Sequence, residues 1–258
     1  MSASVANFSS DLILLAPGTS AVTDGPYGQD PSAFDLTFYD SFTSGLNLDV
    51  WNLDGIAGRL NASNAVPNYT TSNGSLKIWP QRGSNGEFFD RTLDTRRSFT
   101  QRYGYFEIEA KLPRGKGVWP AFWLLSMSGD GRPEIDIMEA YPGGEKPWGT
   151  PGADGVPVPT MYAPVVWRDA RDRAGYGKIA TPDLSKDFHR YGAKWEPNKV
   201  TFYFEGEEVY SVDASLSTPM FMILDLWFGS ASGQPDSSTP TGESNALEIN
   251  YVKAWQFK

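Results

Sequence analysis

Apolar and polar residues alternate along much of this chain, and the two-residue period predicts β-strands. The alternation is cleanest over residues 105–112, where apolar side chains fall on one face and charged side chains fall mainly on the other. Residues 220–228 are apolar apart from Asp225, which predicts a strand that is buried on both faces. Gly206 lies between two short strand-like runs and predicts a hairpin turn. Similar strand patterns occupy residues 36–42, 76–79, 118–125, 158–167, 188–195 and 246–256.

These patterns predict an all-β chain with no long helix and no internal repeat. Residues 1–34 are rich in Ser, Gly, Pro and Asp, and we interpret them as an N-terminal extension or linker. Within it, the apolar patch Leu12–Leu15 could add one strand. Residues 35–258 then form a single domain, which is a common size for a β-sandwich. Residues 140–159 predict a long loop, and we expect it to shape one side of a cleft.

The stretch from Glu134 to Glu139 departs from simple alternation. Glu134 and Asp136 would share one face of a strand, and the isoleucine after each of them would take the other face. Strict alternation would place Glu139 on the apolar face, where a lone carboxylate is buried at a high cost in free energy. One extra residue, a β-bulge, returns Glu139 to the acidic face, and we predict that Met138 is this residue.

Three carboxylates on one strand face repel one another, which raises the pKa of at least one of them. A protonated acid beside an ionised carboxylate is what cleavage of a glycosidic bond requires. The pattern has two simpler interpretations, an exposed acidic strand and a set of oxygen ligands for calcium. Calcium loops, however, usually carry closely spaced Gly, Asn and Asp rather than large apolar residues. The pattern alone therefore favours catalysis modestly.

Composition excludes several classes of function. The 258 residues carry a net charge of −9, which argues against nucleic-acid binding because that needs a basic surface. The chain has no cysteine and a single histidine, His189, so it has neither a disulfide framework nor a histidine-cluster metal site. The apolar run Leu12–Ala16 is too short to span a membrane and lacks the basic flank of a signal peptide. A neutral glycan remains compatible with the acidic charge.

Three segments carry a resemblance to a known family. They are Tyr103–Pro113 (YGYFEIEAKLP), Gly117–Leu125 (GVWPAFWLL) and Pro133–Glu139 (PEIDIME). Their order and spacing resemble glycoside hydrolase family 16, the laminarinase and lichenase group, and further matches extend the resemblance over most of the chain. It implies a concanavalin A-like β-jelly-roll sandwich of two antiparallel sheets with a concave, glycan-binding cleft. It also implies a retaining mechanism with Glu134 as nucleophile, Glu139 as acid/base and Asp136 between them.

Four aromatic residues are candidates for substrate binding. In the family, the tryptophans of the WPAFW segment line the cleft, so we expect Trp119 and Trp123 to contact a sugar, with core packing as the alternative. Trp227 could face the cleft or pack in the core. Many laminarinase-like members carry a histidine on the strand after the catalytic one. Here Tyr162 corresponds to it, or nothing does, which leaves substrate choice open.

Two further features each have a functional alternative. Residues 168–173 alternate Arg and Asp, which predicts a self-paired, solvated loop, with an anion pocket for an acidic sugar substituent as the alternative. Family members often bind calcium far from the cleft through an acidic residue on the last strand. Asn250 stands at that position, which leaves room for a structural calcium without predicting one. No cofactor and no catalytic metal are required.

The sequence as a whole predicts a secreted, monomeric, endo-acting retaining hydrolase of β-1,3 or mixed β-1,3/1,4 glucan. Its partner is then a polysaccharide, with neither nucleic acid nor membrane insertion. The alternatives are a depolymerase of a bacterial exopolysaccharide with a β-glucan-like backbone, a transglycosylase, and a lectin-like sandwich that binds carbohydrate without cleaving it.

Overall fold

Short antiparallel strands account for nearly all the regular structure. The computed structural model describes the backbone of residues 12–14 and, in full, residues 25–56, 59, 61, 65–128 and 131–258. The strands are β1 (Leu12–Leu14), β2 (Phe34–Asp40), β3 (Tyr69–Ser72), β4 (Ser75–Ile78), β5 (Arg91–Asp94), β6 (Gly104–Lys111), β7 (Val118–Ser126), β8 (Glu134–Ala140), β9 (Gly149–Pro151), β10 (Pro157–Pro159), β11 (Met161–Trp167), β12 (Arg173–Tyr176), β13 (Ile179–Ala180), β14 (His189–Glu196), β15 (Lys199–Phe204), β16 (Glu207–Asp213), β17 (Met220–Phe228) and β18 (Leu247–Phe257). Single turns of 3-10 helix cover Pro31–Ala33, Ser230–Ser232 and Glu243–Asn245.

Among the described residues, the strands form two large sheets. One sheet has nine strands, in the order β1-β2-β18-β6-β14-β15-β16, with β4 beside β18 and β3 beside β4. The other has seven, in the order β12-β11-β8-β7-β17-β5, with β13 beside β11. A two-stranded ribbon, β9 and β10, lies within the predicted long loop. The predicted all-β sandwich of antiparallel sheets is confirmed.

The main core lies between the two sheets. The nine-stranded sheet contributes Phe106 and Ile108, and the seven-stranded sheet contributes Phe122 and Leu124. On β7, the tryptophans at 119 and 123 point away from this core, as the alternation predicts. All nine residues of β17 are buried, which confirms the strand buried on both faces. The outward face of the seven-stranded sheet is therefore partly apolar and partly covered.

The structure also tests the predicted hairpin at Gly206 and the predicted strand in the Leu12–Leu15 patch. Glu205 and Gly206 have φ values of 51° and 81°, the left-handed pair expected of a tight hairpin turn between β15 and β16. The Leu12–Leu15 patch does add a strand, because β1 pairs with β2. The other residues of 1–24 lie outside the described part of the chain, so the linker interpretation of residues 1–34 stays a prediction.

The predicted bulge is present in β8, with one correction. In the register with β7, Glu139 pairs with Ala121 and Met138 with Phe122, but the next pair is Asp136 with Trp123. Ile137, rather than Met138, is thus the residue without a partner. Both Ile137 and Met138 are buried in the main core, because two successive bulge residues point the same way.

This arrangement predicts the cost of truncating the bulge. Ile137→Ala and Met138→Ala should each destabilise the protein by about 2–5 kcal/mol, because each leaves a cavity in the core. Urea unfolding measures the change, with Leu48→Ala as a control at a side chain that is 62% exposed. A change of less than about 0.5 kcal/mol for Met138→Ala is the value of a surface position and would contradict its place in the core.

Candidate active site

The outward faces of β7, β8 and β17 form a pocket that holds all three predicted catalytic carboxylates. The side chains around it are Trp119, Ala121, Trp123, Arg132, Glu134, Asp136, Glu139, Asp225 and Trp227. Glu134 and Asp136 are only 7% and 4% exposed, whereas Glu139 is partly exposed. The bulge therefore brings Glu139 to the same pocket as the two carboxylates that precede it.

The side chain of Arg132 favours the ionised form of Glu134. Its guanidinium forms an ion pair and hydrogen bond with Oε2 of Glu134. The same guanidinium lies 5.5 Å from the ring centre of Trp167, whose backbone pairs with Glu134 across β8 and β11. A hydrogen bond from Asp136 acts with Arg132 to lower the pKa of Glu134. Glu134 is thus stabilised as an anion from two sides.

Glu139 is held by two aromatic side chains. The indole N–H of Trp119 donates to Oε1 of Glu139 at 3.0 Å. The hydroxyl of Tyr141 donates a second hydrogen bond, and both lower the pKa of Glu139. Tyr141 in turn contacts the rings of Trp119 and Trp148, with centroids 5.8 Å and 4.9 Å away. Trp148 belongs to the long loop after β8, so this loop packs against the tyrosine that bonds Glu139.

Burial nevertheless raises the pKa of all three carboxyls above its ordinary value. Repulsion from Glu139 adds to this effect at both Glu134 and Asp136. The pKa of Asp136 rises well above the ordinary value for Asp, which favours the protonated form that can donate a hydrogen bond to Glu134. The three groups share protons as a set, which provides an acid and a carboxylate side by side.

Trp227 joins the other two tryptophans into one wall. Its ring packs edge-on against Trp119 at 5.3 Å and against Trp123 at 5.8 Å. Arg59 lies over this wall, 4.6 Å from the Trp227 ring centre, and forms an ion pair with Asp90. Trp123 and Trp227 are mostly buried, so the most accessible indole is that of Trp119.

A second group of aromatic and basic side chains lies beyond the pocket, against Arg132 and Tyr141. We call this group the cationic rim, and it consists of Trp148, Trp167, Arg173, Tyr176 and Lys178. Arg173 lies 4.8 Å from the ring centre of Tyr176 and 5.5 Å from that of Trp167. Lys178 lies 5.7 Å from Tyr176 and 5.9 Å from Trp148. The rim continues the aromatic surface beyond Glu134 and Glu139.

The charged loop before the rim divides into two parts. Arg168 pairs with Asp172 at 3.2 Å, and Asp169 accepts hydrogen bonds from the backbone N–H of Arg171 and of Asp172. This part is self-paired, as predicted. Arg173 instead begins β12 and turns towards the aromatic rings.

A family model now decides where this chain belongs. The model for glycosyl hydrolases family 16 matches residues 59–253, a span that includes the whole pocket. The chain belongs to glycosyl hydrolases family 16. This confirms the resemblance carried by the three motif segments.

Two similar proteins extend the comparison. Endo-1,3-1,4-beta-glycanase EglC of Rhizobium meliloti (strain 1021) is 29% identical over 254 residues, which cover 96% of this chain and 51% of the relative. This chain therefore spans about half the length of that relative. The glucan endo-1,3-beta-glucosidase of Cryptopygus antarcticus is 29% identical over 266 residues, covering 86% of this chain and 92% of the relative.

A solved structure shows the shared fold. The endo-beta-1,3(4)-glucanase SCLam of family 16 has a TM-score of 0.74 to this chain at 22% identity. The match covers 94% of this chain and 98% of SCLam. The jelly-roll assignment is thereby confirmed.

The substrate-binding prediction for Tyr162 is wrong. Tyr162 is 1% exposed and lies in the main core, with its ring 5.1 Å from that of Tyr191. Its neighbour Ala163 pairs with Glu139 and takes the outward position on β11. The alternation of β11 therefore turns Tyr162 inward.

Several pocket residues were missed or left without a role by the sequence interpretation. Tyr141 could have been found, because it follows Glu139 by two positions and so shares its face. Asp225 had a signal too, since it is the lone carboxylate in an apolar strand. Arg132 had the same signal, because it precedes Glu134 by two positions. Trp167 had none, because only the pairing of β8 with β11 brings it beside Glu134.

Asn250 is hydrogen-bonded to a neighbouring strand of the nine-stranded sheet. Its amide nitrogen donates to Glu109 at 2.8 Å, and the described residues hold no cluster of three acidic, histidine or cysteine side chains. No helix in the described part of the chain is long and apolar enough to cross a membrane.

The ion pair between Arg132 and Glu134 predicts how the pKa of Glu134 changes when Arg132 is substituted. Arg132→Gln removes the cation that lowers the pKa of Glu134, so that pKa should rise. Arg132→Lys keeps a positive charge and should move it less. Carbon-13 NMR titration of the labelled carboxyl measures both, and an unchanged or lowered pKa in Arg132→Gln would show that the contact does not stabilise the anion.

Proposed function

We propose that this chain is an endo-acting, retaining glycoside hydrolase that cleaves β-1,3 or mixed β-1,3/1,4 glucan. The observation that carries the proposal is the bulge in β8, which brings Glu134, Asp136 and Glu139 to one aromatic pocket. Membership of family 16 and the glucanase names of its relatives support the substrate class.

The first step forms a glycosyl-enzyme. A carboxylate oxygen of Glu134 attacks the anomeric carbon while the bond to the glycosidic oxygen breaks. Glu139 gives its proton to that oxygen, so the leaving sugar departs as a neutral alcohol. The hydrogen bond from Asp136 and the Arg132 cation oppose the effect of burial on Glu134 and so favour the ionised form that this attack needs.

The second step releases the sugar with its original configuration. Glu139, now a carboxylate, takes a proton from water as the water oxygen attacks the anomeric carbon. The bond to Glu134 breaks and the carboxylate is restored, while Glu139 is protonated again. Two inversions at the same carbon give net retention.

Laminarin hydrolysis tests these roles. Glu134→Gln should abolish turnover on laminarin and on an aryl β-glucoside, by at least about 10³-fold, because no nucleophile remains. Glu139→Ala should still form a glycosyl-enzyme from the aryl glycoside, whose leaving group needs no acid, and azide should then restore turnover. Proton NMR should show the β anomer first, and an α anomer appearing first would refute retention.

The same measurements separate the alternatives. A lectin-like sandwich would bind laminarin without releasing reducing ends in the wild-type protein. A transglycosylase would form products longer than its substrate when a second sugar intercepts the glycosyl-enzyme. Product sizing over time distinguishes both from an endo-hydrolase, which first gives oligosaccharides of intermediate length.

The cationic rim favours a second candidate substrate, a β-glucan backbone with acidic substituents. Among the described residues, neither Arg173 nor Lys178 is in an ion pair, although the protein carries a net charge of −9. Both lie on aromatic rings at one end of the pocket. Cations in such a position attract a carboxylate-bearing glycan and leave a neutral one unaffected.

A carboxymethylated β-1,3-glucan tests this candidate. Arg173→Gln with Lys178→Gln should lower kcat/KM on it by about 3- to 10-fold, because each exposed charge contributes up to about 1 kcal/mol. Laminarin turnover should change less than twofold, and added salt should abolish the difference. Arg168→Gln, in the self-paired loop, serves as control. Equal losses on both glucans would reject the acidic substrate.

A further inference from the structure

Asp225 lies in the pocket wall without the partners that a buried carboxyl normally has. It is 1% exposed, and neither of its oxygens accepts a hydrogen bond from the described residues. The indole N–H of Trp123 is close enough to lower its pKa, but the contact lacks hydrogen-bond geometry, and this N–H is also without a partner. Native proteins rarely leave such groups unpaired unless something else occupies the space.

The two unpaired groups face the same space. Asp225 pairs with Ala121 across β17 and β7, and Trp123 lies two residues further along β7 on the same face. Both border the pocket that holds Glu134 and Glu139. A donor and a carboxyl therefore converge on one point inside the cleft.

Ala121 leaves room at that point. It pairs with Asp225 on one side and with Glu139 on the other, so these two carboxyl residues lie two strand spacings apart, about 10 Å between Cα atoms. A larger side chain at 121 would fill the gap. With alanine there, the small side chain leaves the pocket between the two carboxyls unfilled.

The buried environment of Asp225 favours its uncharged form. Burial and the nearby charges of Glu139 and Asp90 raise its pKa well above the ordinary value, and Arg59 opposes them only in part because it is paired with Asp90. A neutral carboxylic acid has one O–H donor and one carbonyl acceptor. It can therefore bind a hydroxyl without placing another charge beside the three catalytic carboxyls.

We propose that the carboxyl of Asp225 and the indole N–H of Trp123 together bind one hydroxyl group of the sugar in the pocket. This rests on the proposed function and adds a specificity-determining contact to it. A site with two buried polar groups discriminates strongly against a sugar that lacks the hydroxyl, because both groups then stay unpaired. Asp225 takes no part in proton transfer.

Binding is measured in the Glu134→Gln background, where turnover does not interfere. Asp225→Leu should weaken laminari-oligosaccharide binding by roughly 10- to 100-fold in calorimetry, the effect of losing a buried hydrogen bond and leaving its partner unpaired. Asp225→Asn keeps a neutral donor and acceptor and should change affinity less than about threefold. Glu107→Gln is the control, a carboxyl that is 2% exposed in the other sheet and bonded to Tyr251.

Two further measurements separate ligand binding from a structural role. Asp225→Leu should unfold at the same temperature as the parent or a higher one, because it removes an unsatisfied buried group while affinity falls. A panel of monodeoxy oligosaccharides should contain one that the parent binds as weakly as Asp225→Leu binds the intact sugar. The Asp225→Leu variant should bind that analogue and the intact sugar with equal affinity. The loss of affinity in the double variant Trp123→Phe, Asp225→Leu should be smaller than the sum of the two single losses, because both side chains bind the same hydroxyl.

The binding experiments can contradict the Asp225 contact without contradicting the hydrolase proposal. If the wild-type protein cleaves laminarin but Asp225→Leu binds every oligosaccharide with unchanged affinity, the contact is overturned and the hydrolase stands. A water molecule that merely fills the gap would give this result. If the wild-type protein neither binds nor cleaves glucan, both proposals fall.

Discussion

The change of phase within β8 is the constraint on which the rest of the pocket depends. A regular strand would send Glu139 into the apolar space between the sheets, where its desolvation would oppose folding. With Ile137 as the extra residue, both bulge side chains enter the core and Glu139 returns to the outward face. The same residue thus satisfies the packing of the sandwich and the assembly of the carboxyls.

The resulting concentration of acid groups is a local source of instability. A carboxyl whose pKa is higher in the folded than in the unfolded protein binds more protons when folded, so its contribution to stability falls as pH rises between the two pKa values. Glu134, Asp136, Glu139 and Asp225 all have this sign. The large core between the sheets offsets it, and Arg132 lessens it at Glu134 and Asp136.

The two walls of the pocket differ in chemistry. On the β17 side, tryptophan rings interlock and hold Arg59, whose charge is already neutralised by Asp90. On the β12 side, the cationic rim keeps Arg173 and Lys178 exposed on their aromatic supports. Aromatic faces suit the apolar faces of sugars, whereas only the rim suits an anionic substituent. The two sides of the pocket therefore differ in their affinity for an anionic group.

The arrangement of residues within single segments determined the strands and the bulge of this protein. Alternation of apolar residues predicts the strands, and the spacing of Glu134, Asp136 and Glu139 predicts the bulge, because side-chain direction in a strand depends on residue count alone. Pairing between distant strands decided the rest. It set Arg132 beside Trp167, left Asp225 facing Trp123, and turned Tyr162 into the core. No period along one strand carries that information, since register between strands depends on how both faces pack.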